Sequence, residues 1–189
     1  AVSCGMACLD VIMRLVRPGE CVIAGDDLYG GSNRLLELLK KQMHIEVDNI
    51  DTTDLVAVEQ ALQQRAKAHA AGEGARVALV LLESPTNPMI KIADLAGCTR
   101  LVRKYIPEAL VVVDNTMLSP YLMRPLEFAV DIVYHSATKY LSGHHDIMAG
   151  VISCNRDDLA ESMFFTIKSV GYALSPHDCF LLLRGVKTL

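Results

Sequence analysis

The stretch Val77-Ala78-Leu79-Val80-Leu81-Leu82 is a run of apolar residues, typical of a strand buried on both faces of a sheet. Other short apolar runs predict strands at Cys21–Ala24, Ile45–Val47, Ala109–Val113, Val130–His135 and Ala149–Ser153. Helical spacing of apolar residues predicts helices at Gly5–Val16, Ser32–Met43, Asp54–Ala71, Asp94–Tyr105, Asp157–Ser169 and from Pro176 onward. This alternation predicts an α/β fold with a mainly parallel sheet covered by helices on both faces.

Polar residues that follow the predicted strands are the candidates for function, because such sheets bind ligands beyond the carboxyl ends of their strands. Asp114 comes directly after Leu110–Val113, and a buried carboxylate there needs a cation or strong hydrogen bonds. Lys139 follows the strand that ends near His135, where a lowered pKa would make it a nucleophile. The alternatives are a turn or N-cap aspartate and a solvated surface lysine.

Two segments are suited to bind an anion. The hydroxyls of Ser136 and Thr138 alternate with Lys139 and are placed to bind an anion beside it. Gly5 and Met6 open a predicted helix, where free backbone N–H groups and the helix dipole favour a phosphate. The motif at Gly5 alone matches many ordinary helix starts.

Two further loops contain side chains suited to a planar ligand. Tyr29, beside two glycines, is placed to lay its ring over such a ligand. Asn87 lies in Glu83-Ser84-Pro85-Thr86-Asn87-Pro88, where flanking prolines stiffen the loop and fix the amide. Ordinary turns, one of them N-capped by Ser32, are the alternatives.

Composition and motifs exclude several other classes of function. A net charge of −4 without a basic stripe disfavours nucleic acid as a partner, and no apolar run reaches membrane-spanning length. The six cysteines include no Cys-x-x-Cys pair and indicate reduced thiols in a reducing compartment. His144-His145-Asp146 lacks further clustered ligands, so no metal site is expected. No G-x-G-x-x-G follows a strand, which argues against a dinucleotide site.

Both ends of the sequence suggest a piece of a longer chain. Residue 1 falls directly before the glycine-containing loop at Gly5, and the pattern of Phe180–Leu189 stops inside an apolar helix without a cap.

A lysine, an acid, hydroxyls, a helix start, a tyrosine and an asparagine at successive strand ends match what a pyridoxal 5′-phosphate site needs. The sequence resembles the Cys/Met-metabolism family of pyridoxal phosphate enzymes, which have the aspartate-aminotransferase (type I) fold. The resemblance covers essentially all 189 residues and is most specific at Asp131–His144 (DIVYHSATKYLSGH).

The resemblance implies a role for each of these residues. Lys139 would hold the cofactor as a Schiff base, with Asp114 on the pyridine nitrogen and Tyr29 stacked on the ring, and these three form the catalytic set. Asn87 would bind the phenolic oxygen. The phosphate would be bound by Gly5, Met6, Ser136 and Thr138.

The resemblance also implies the activity: a carbon–sulfur lyase, most like cystathionine β-lyases, acting on a sulfur amino acid. Cystathionine γ-lyase, cystathionine γ-synthase and methionine γ-lyase chemistry stay open, as does a non-catalytic truncated cofactor-binding domain. Residues 1–189 would be the large cofactor-binding domain, without the family's N-terminal arm and C-terminal small domain. A cytoplasmic homo-oligomer, a dimer of dimers, is implied for the parent protein.

Overall fold

The computed structural model describes all 189 residues as one six-stranded sheet with helices on both faces. The strands are β1 Cys21–Gly25, β2 Glu46–Ile50, β3 Val77–Glu83, β4 Leu110–Asp114, β5 Ile132–Ser136 and β6 Gly150–Cys154. The helices are α1 Gly5–Met13, α2 Gly30–Met43, α3 Leu55–Ala70, α4 Leu95–Tyr105, α5 Ser119–Leu122, α6 Asp157–Val170 and α7 Pro176–Val186, with a 3-10 turn at Pro125–Phe128. The predicted α/β class and all six predicted strands are confirmed.

The strand order β2-β1-β3-β4-β5-β6 determines where the sheet can bind a ligand. The first five strands are parallel, and only β6 runs antiparallel to its neighbour β5. The chain moves outward from β1 to β2 and then crosses to the other side of β1 to form β3. The carboxyl ends of β1 and β3 therefore flank the topological switch point, where open α/β sheets bind ligands.

Alternate residues of the central strands supply two separate cores, one on each face of the sheet. Leu79 and Leu81 of β3 pack with α1, α2 and α6, whereas Val80 and Leu82 pack with α3 and α4. Every residue of β3 is buried, including Glu83 at its end. This double burial explains why the strands read as continuous apolar runs, and it leaves the strand ends as the places for polar side chains.

Helix α1 is held tightly against the antiparallel strand β6. Val2 and Gly150 exchange two backbone hydrogen bonds of 2.8 Å each. A Cβ atom at residue 150 would overlap the carbonyl oxygen of Cys4 and the sulfur of Cys8. Gly150 thus allows the close approach that places the start of α1 beside the end of β5.

We expect Gly150→Ala to lower the free energy of unfolding by about 1–3 kcal/mol, because the added methyl must push α1 away from β6. Urea denaturation of the purified chain measures this. Gly30→Ala is the matched control: the nearest atom to its new methyl is Arg34 Nη1 at 3.7 Å, so stability should change by about 0.5 kcal/mol or less. Equal stability of the two variants would contradict the close packing described here.

Candidate active site

A cavity of about 590 Å³ opens at the carboxyl edge of the sheet. The ends of β3, β4 and β5 and the starts of α1 and α2 surround it. The structure brings together in its lining all eight residues predicted from the sequence: Gly5, Met6, Tyr29, Asn87, Asp114, Ser136, Thr138 and Lys139. These residues lie up to 134 positions apart in sequence (139 − 5 = 134) and meet because parallel strands share one carboxyl edge.

The start of α1 forms one end of the cavity. Cys4 is the N-cap of this helix, and its sulfur accepts the N–H of Ala7 at 3.4 Å. The N–H groups of Gly5 and Met6 have no partner within the protein and remain free for an anion. A Cβ at residue 5 would lie 2.8 Å from Cβ of Ser136, so only glycine lets the helix start approach the serine this closely. This arrangement provides backbone donors and a hydroxyl for a phosphate.

Thr138 lines the cavity, but its hydroxyl also connects the turn after β5 to the segment before β6. Its Oγ1 accepts the N–H of Ala149 at 3.0 Å and donates to the Ala149 carbonyl at 3.3 Å. The second bond is long, so an anion in the cavity can compete for the same hydroxyl proton.

Lys139 lies in the turn that follows β5 and reaches the cavity from that side. Two backbone hydrogen bonds fix the turn. The N–H of Lys139 donates to the carbonyl of Ser136 at 3.0 Å, and the carbonyl of Lys139 accepts the N–H of Gly143 at 2.8 Å. Lys139 forms no salt bridge, unlike Lys40, Lys91 and Lys104. Its amine is therefore free for a carbonyl ligand.

Asp114 ends β4 and has no cation beside it within the protein. Its Oδ1 accepts the N–H of Thr116 at 2.9 Å. Burial raises the pKa of Asp114 above its ordinary value, and hydrogen bonds from Thr116 and from the hydroxyl of Tyr134 only partly offset this effect. A carboxylate that lines a cavity and has no cationic partner within the protein is suited to a cationic ligand group.

The aromatic ring of Tyr29 forms the wall of the cavity next to α2. Helix α2 begins at Gly30, two residues before the Ser32 suggested by the sequence, and Ser32 is buried in the lining instead of capping the helix. A Cβ at residue 31 would lie 2.5 Å from the Tyr29 ring and 2.8 Å from Sδ of Met6. Glycine at this position thus lets the tyrosine ring pack closely over the helix start.

Glu83 also lines the cavity, although it was not among the residues predicted from the sequence. It ends an apolar strand, as Asp114 does. Register places the two residues side by side on β3 and β4. The Glu83 carboxylate accepts the N–H of Tyr29 at 2.9 Å and that of Asn87 at 2.8 Å. Burial raises the pKa of Glu83 to about 7, and the nearby Asp114 adds to the increase.

Tyr134 and Thr116 were also missed. Tyr134 is buried in β5, and burial together with the carboxylates of Asp114 and Glu83 raises its pKa well above the ordinary value. Oγ1 of Thr116 accepts the N–H of Ser136 at 2.8 Å and so connects the ends of β4 and β5. Tyr134 lies in the motif Asp131–His144 but was given no role there, and Thr116 lies in no quoted motif; the positions of both in the site depend on strand register.

The residues His144-His145-Asp146 do not form a ligand cluster. Asp146 pairs with Arg184 of α7, and His144 Nδ1 lies 2.5 Å from the carbonyl of Ser142. His145 alone reaches the cavity. No group of three or more His, Cys, Asp or Glu side chains is placed to hold a metal ion. None of the helices is long and apolar enough to cross a membrane.

We expect the ligand-free protein to lose stability as the pH rises from about 4.5 to about 7, relative to a Glu83→Gln variant. The folded state raises the Glu83 pKa from 4.5 to about 7, so it holds a proton that the unfolded chain has already released. Linkage sets the maximum loss at about 3 kcal/mol, complete above pH 7. Urea denaturation of both proteins at pH 4.5, 6 and 8 measures it; a pH-independent difference would contradict the raised pKa.

Comparison with known proteins gives matches along the whole chain. The family described as "Cys/Met metabolism PLP-dependent enzyme" matches residues 1–189. Cystathionine beta-lyase of Neurospora crassa is 52% identical over 189 residues, covering 100% of this chain and 39% of that protein. Cystathionine beta-lyase of Schizosaccharomyces pombe is 51% identical over 187 residues, covering 99% of this chain and 45% of that protein. The chain thus spans less than half the length of these relatives.

The fold also matches solved enzymes. Cystathionine gamma-lyase from Lactobacillus plantarum complexed with L-serine superposes with a TM-score of 0.88 at 35% identity, covering 99% of this chain and 46% of that one. The type I pyridoxal phosphate fold implied by the resemblance is thereby confirmed, and pyridoxal phosphate is the cofactor of the family. The chain belongs to the Cys/Met-metabolism family of pyridoxal phosphate-dependent enzymes.

Proposed function

We propose that the protein containing this chain is a carbon–sulfur lyase that cleaves cystathionine by β-elimination, giving homocysteine, pyruvate and ammonia. The observation that carries the proposal is the cavity itself. It contains an unpaired Lys139 and an unpaired buried Asp114, in a chain 52% identical over its whole length to a cystathionine beta-lyase. Residues 1–189 would be the large, cofactor-binding domain of that enzyme.

The lining fits pyridoxal phosphate at both of its charged ends. The free N–H groups of Gly5 and Met6 and the hydroxyl of Ser136 would bind the phosphate, with Thr138 able to contribute. The lone buried carboxylate of Asp114 would bind the ring nitrogen and keep a proton on it.

The remaining contacts would fix the ring and the covalent attachment. Tyr29 would stack on the ring face, and the side-chain amide of Asn87 would donate to the phenolic oxygen. Lys139 would hold the cofactor through its amine. When bound, pyridoxal phosphate supplies an electron sink conjugated to Cα of the substrate.

Lys139 would also carry out the proton transfer. The Lys139 amine, once free, would remove the Cα proton of the substrate, and breaking of the Cβ–S bond would release homocysteine. Hydrolysis of the remaining three-carbon unit would give pyruvate and ammonia. The ammonium form of Lys139 would return the Cα proton to the leaving sulfur.

γ-Elimination is the second candidate, favoured by the match to the Lactobacillus plantarum cystathionine gamma-lyase. In that reaction Lys139 would move protons at both Cα and Cβ, so the same cavity serves both reactions. We also propose that the parent protein is a homo-oligomer, as the family resemblance implies. Its compartment stays a prediction.

Product analysis of the full-length protein tests the function. With cystathionine we expect pyruvate and homocysteine; 2-oxobutyrate and cysteine would replace the proposal with γ-elimination. Lys139→Ala should abolish turnover and prevent borohydride from fixing the cofactor to the chain. Lys41→Ala is the control, because Lys41 is exposed at the far end of α2 and should change neither result. Labelling of another lysine in the unaltered protein would contradict the site assignment.

Asp114→Asn should retain the cofactor but lower kcat by roughly 100-fold or more, because losing one charge of a buried pair costs about 3–5 kcal/mol. Cofactor content by absorbance and steady-state turnover measure the two effects. Asp94→Asn is the control: Asp94 caps α4 through the N–H of Gly97 at 2.8 Å, away from the cavity, and asparagine caps equally well. Normal turnover in Asp114→Asn would make Asp114 a turn residue only.

A further inference from the structure

We propose that Glu83 is a positioning residue of this site, which fixes Tyr29 and Asn87 against the end of β3 so that both meet the cofactor ring. The inference rests on the proposed roles of those two residues. It assigns to Glu83 no contact with the cofactor or the substrate, and it concerns how the site is held together.

The first support is the way the carboxylate uses its two oxygens. Oε2 accepts the N–H of Tyr29 at 2.9 Å and Oε1 accepts the N–H of Asn87 at 2.8 Å. Glu83 is only 4% exposed and forms no salt bridge, so these backbone donors are its observed partners. The Glu83 side chain thus joins Tyr29, which lies 54 positions away in the sequence, to Asn87, which lies 4 positions away.

The second support is the location of the two donors in otherwise separate loops. Tyr29 ends the loop after β1, and Asn87 lies in the loop after β3. Asp27 connects the same loops, because its Oδ2 accepts from Oγ1 of Thr86 at 2.5 Å and from the N–H of Met89 at 3.2 Å. Asp27 joins the loops to each other, whereas Glu83 joins both to the sheet.

The third support is that Tyr29 and Asn87 are exposed, whereas Glu83 is buried. Tyr29 is 47% exposed, and Asn87 is exposed as well, so core packing does little to fix either backbone. The buried Glu83 at the end of a fully buried strand is the rigid point from which both are held. A residue that contacts a ligand gains precision when a well-packed neighbour fixes its backbone.

A glutamine at this position cannot replace the bridge. Its amide has one acceptor oxygen, and its NH₂ group would face the second backbone N–H as donor against donor. One of the two part-buried N–H groups then loses its acceptor, which corresponds to a roughly tenfold to hundredfold loss in affinity when the loss falls on cofactor binding. Glu83→Gln therefore tests the bridge with almost no change in side-chain volume.

The decisive measurement is the Kd for pyridoxal phosphate of the full-length protein, determined by equilibrium dialysis. We expect Glu83→Gln to raise the Kd roughly tenfold to hundredfold and to weaken circular dichroism in the cofactor absorption band, which reports fixation of the ring. In a background with Tyr29→Ala and Asn87→Ala, the same Glu83→Gln change should have little further effect on the Kd, because the two side chains that the bridge would position are gone although their backbone N–H groups remain.

Asp131→Asn is the matched control. Asp131 is another mostly buried carboxylate that accepts a backbone N–H, from Val111 at 2.7 Å, but it lies at the amino end of the sheet and also pairs with Arg103. It should lower the melting temperature and leave the Kd unchanged. If Glu83→Gln does not fold, Glu83→Asp, which is too short to reach both donors, takes its place.

Two results would overturn the proposal: a Kd for Glu83→Gln within twofold of the unaltered protein, or an equal loss with and without Tyr29 and Asn87. Labelling of Lys139 separates this failure from failure of the proposed function. If Lys139 is labelled and the Kd is unchanged, only the role of Glu83 is wrong. If Lys139 is not labelled, the site assignment itself fails.

Discussion

The parallel pairing of β3 with β4 determines most of this site. The register sets Glu83 opposite Asp114 at the carboxyl ends of two strands whose preceding residues fill the cores on both faces. A polar side chain at any earlier position of β3 would enter one of the two cores. The first acid of β3 and of β4 therefore lies at the end of the strand. The next strand, β5, adds Ser136 at the same edge, and the turn that follows adds Lys139.

Charge at this edge is uneven before any ligand binds. Glu83 is buried and Asp114 lies beside it at the cavity wall, and each raises the energy of the other's ionised form, which is why burial and proximity both act on the Glu83 pKa. The opposite end of the cavity has free N–H groups at α1 and no acid in its helix's first turn. A ligand with a cationic ring and an anionic phosphate, such as pyridoxal phosphate, complements both ends at once.

The sequence predicted the strands, and the eight residues it indicated line one cavity, because both follow from local patterns. Apolar runs identify β3 and β4 directly, and Asp114 follows its run without interruption. Glu83 follows its run in the same way, but its significance comes from hydrogen bonds to Tyr29 and Asn87, which no local pattern shows. Helix α5 and the 3-10 turn at Pro125–Phe128 were not predicted, since these four-residue elements are too short to show periodicity.

Other features required the three-dimensional arrangement. The bonds between Thr138 and Ala149 depend on the chain returning antiparallel through β6, and the sequence predicted only a mainly parallel sheet. The role of Gly150 likewise becomes visible only when α1 lies against it. In the sequence Thr138 indicates only a hydroxyl for an anion, and Gly150 looks like an ordinary residue near a strand end.

The two neighbouring acids have different roles because their hydrogen-bond partners differ. Glu83 receives two backbone N–H groups, one on each oxygen, so its carboxylate is already occupied by the protein. Asp114 accepts the backbone N–H of Thr116 on Oδ1 and side-chain hydrogen bonds from Thr116 and Tyr134, but it lines the cavity and has no cation beside it within the protein. A cation entering the cavity therefore gains most by approaching Asp114, while Glu83 remains bound to the loops that carry Tyr29 and Asn87. The same strand-end chemistry thus gives one acid that is open to a ligand and one that is hydrogen-bonded to the loops around it.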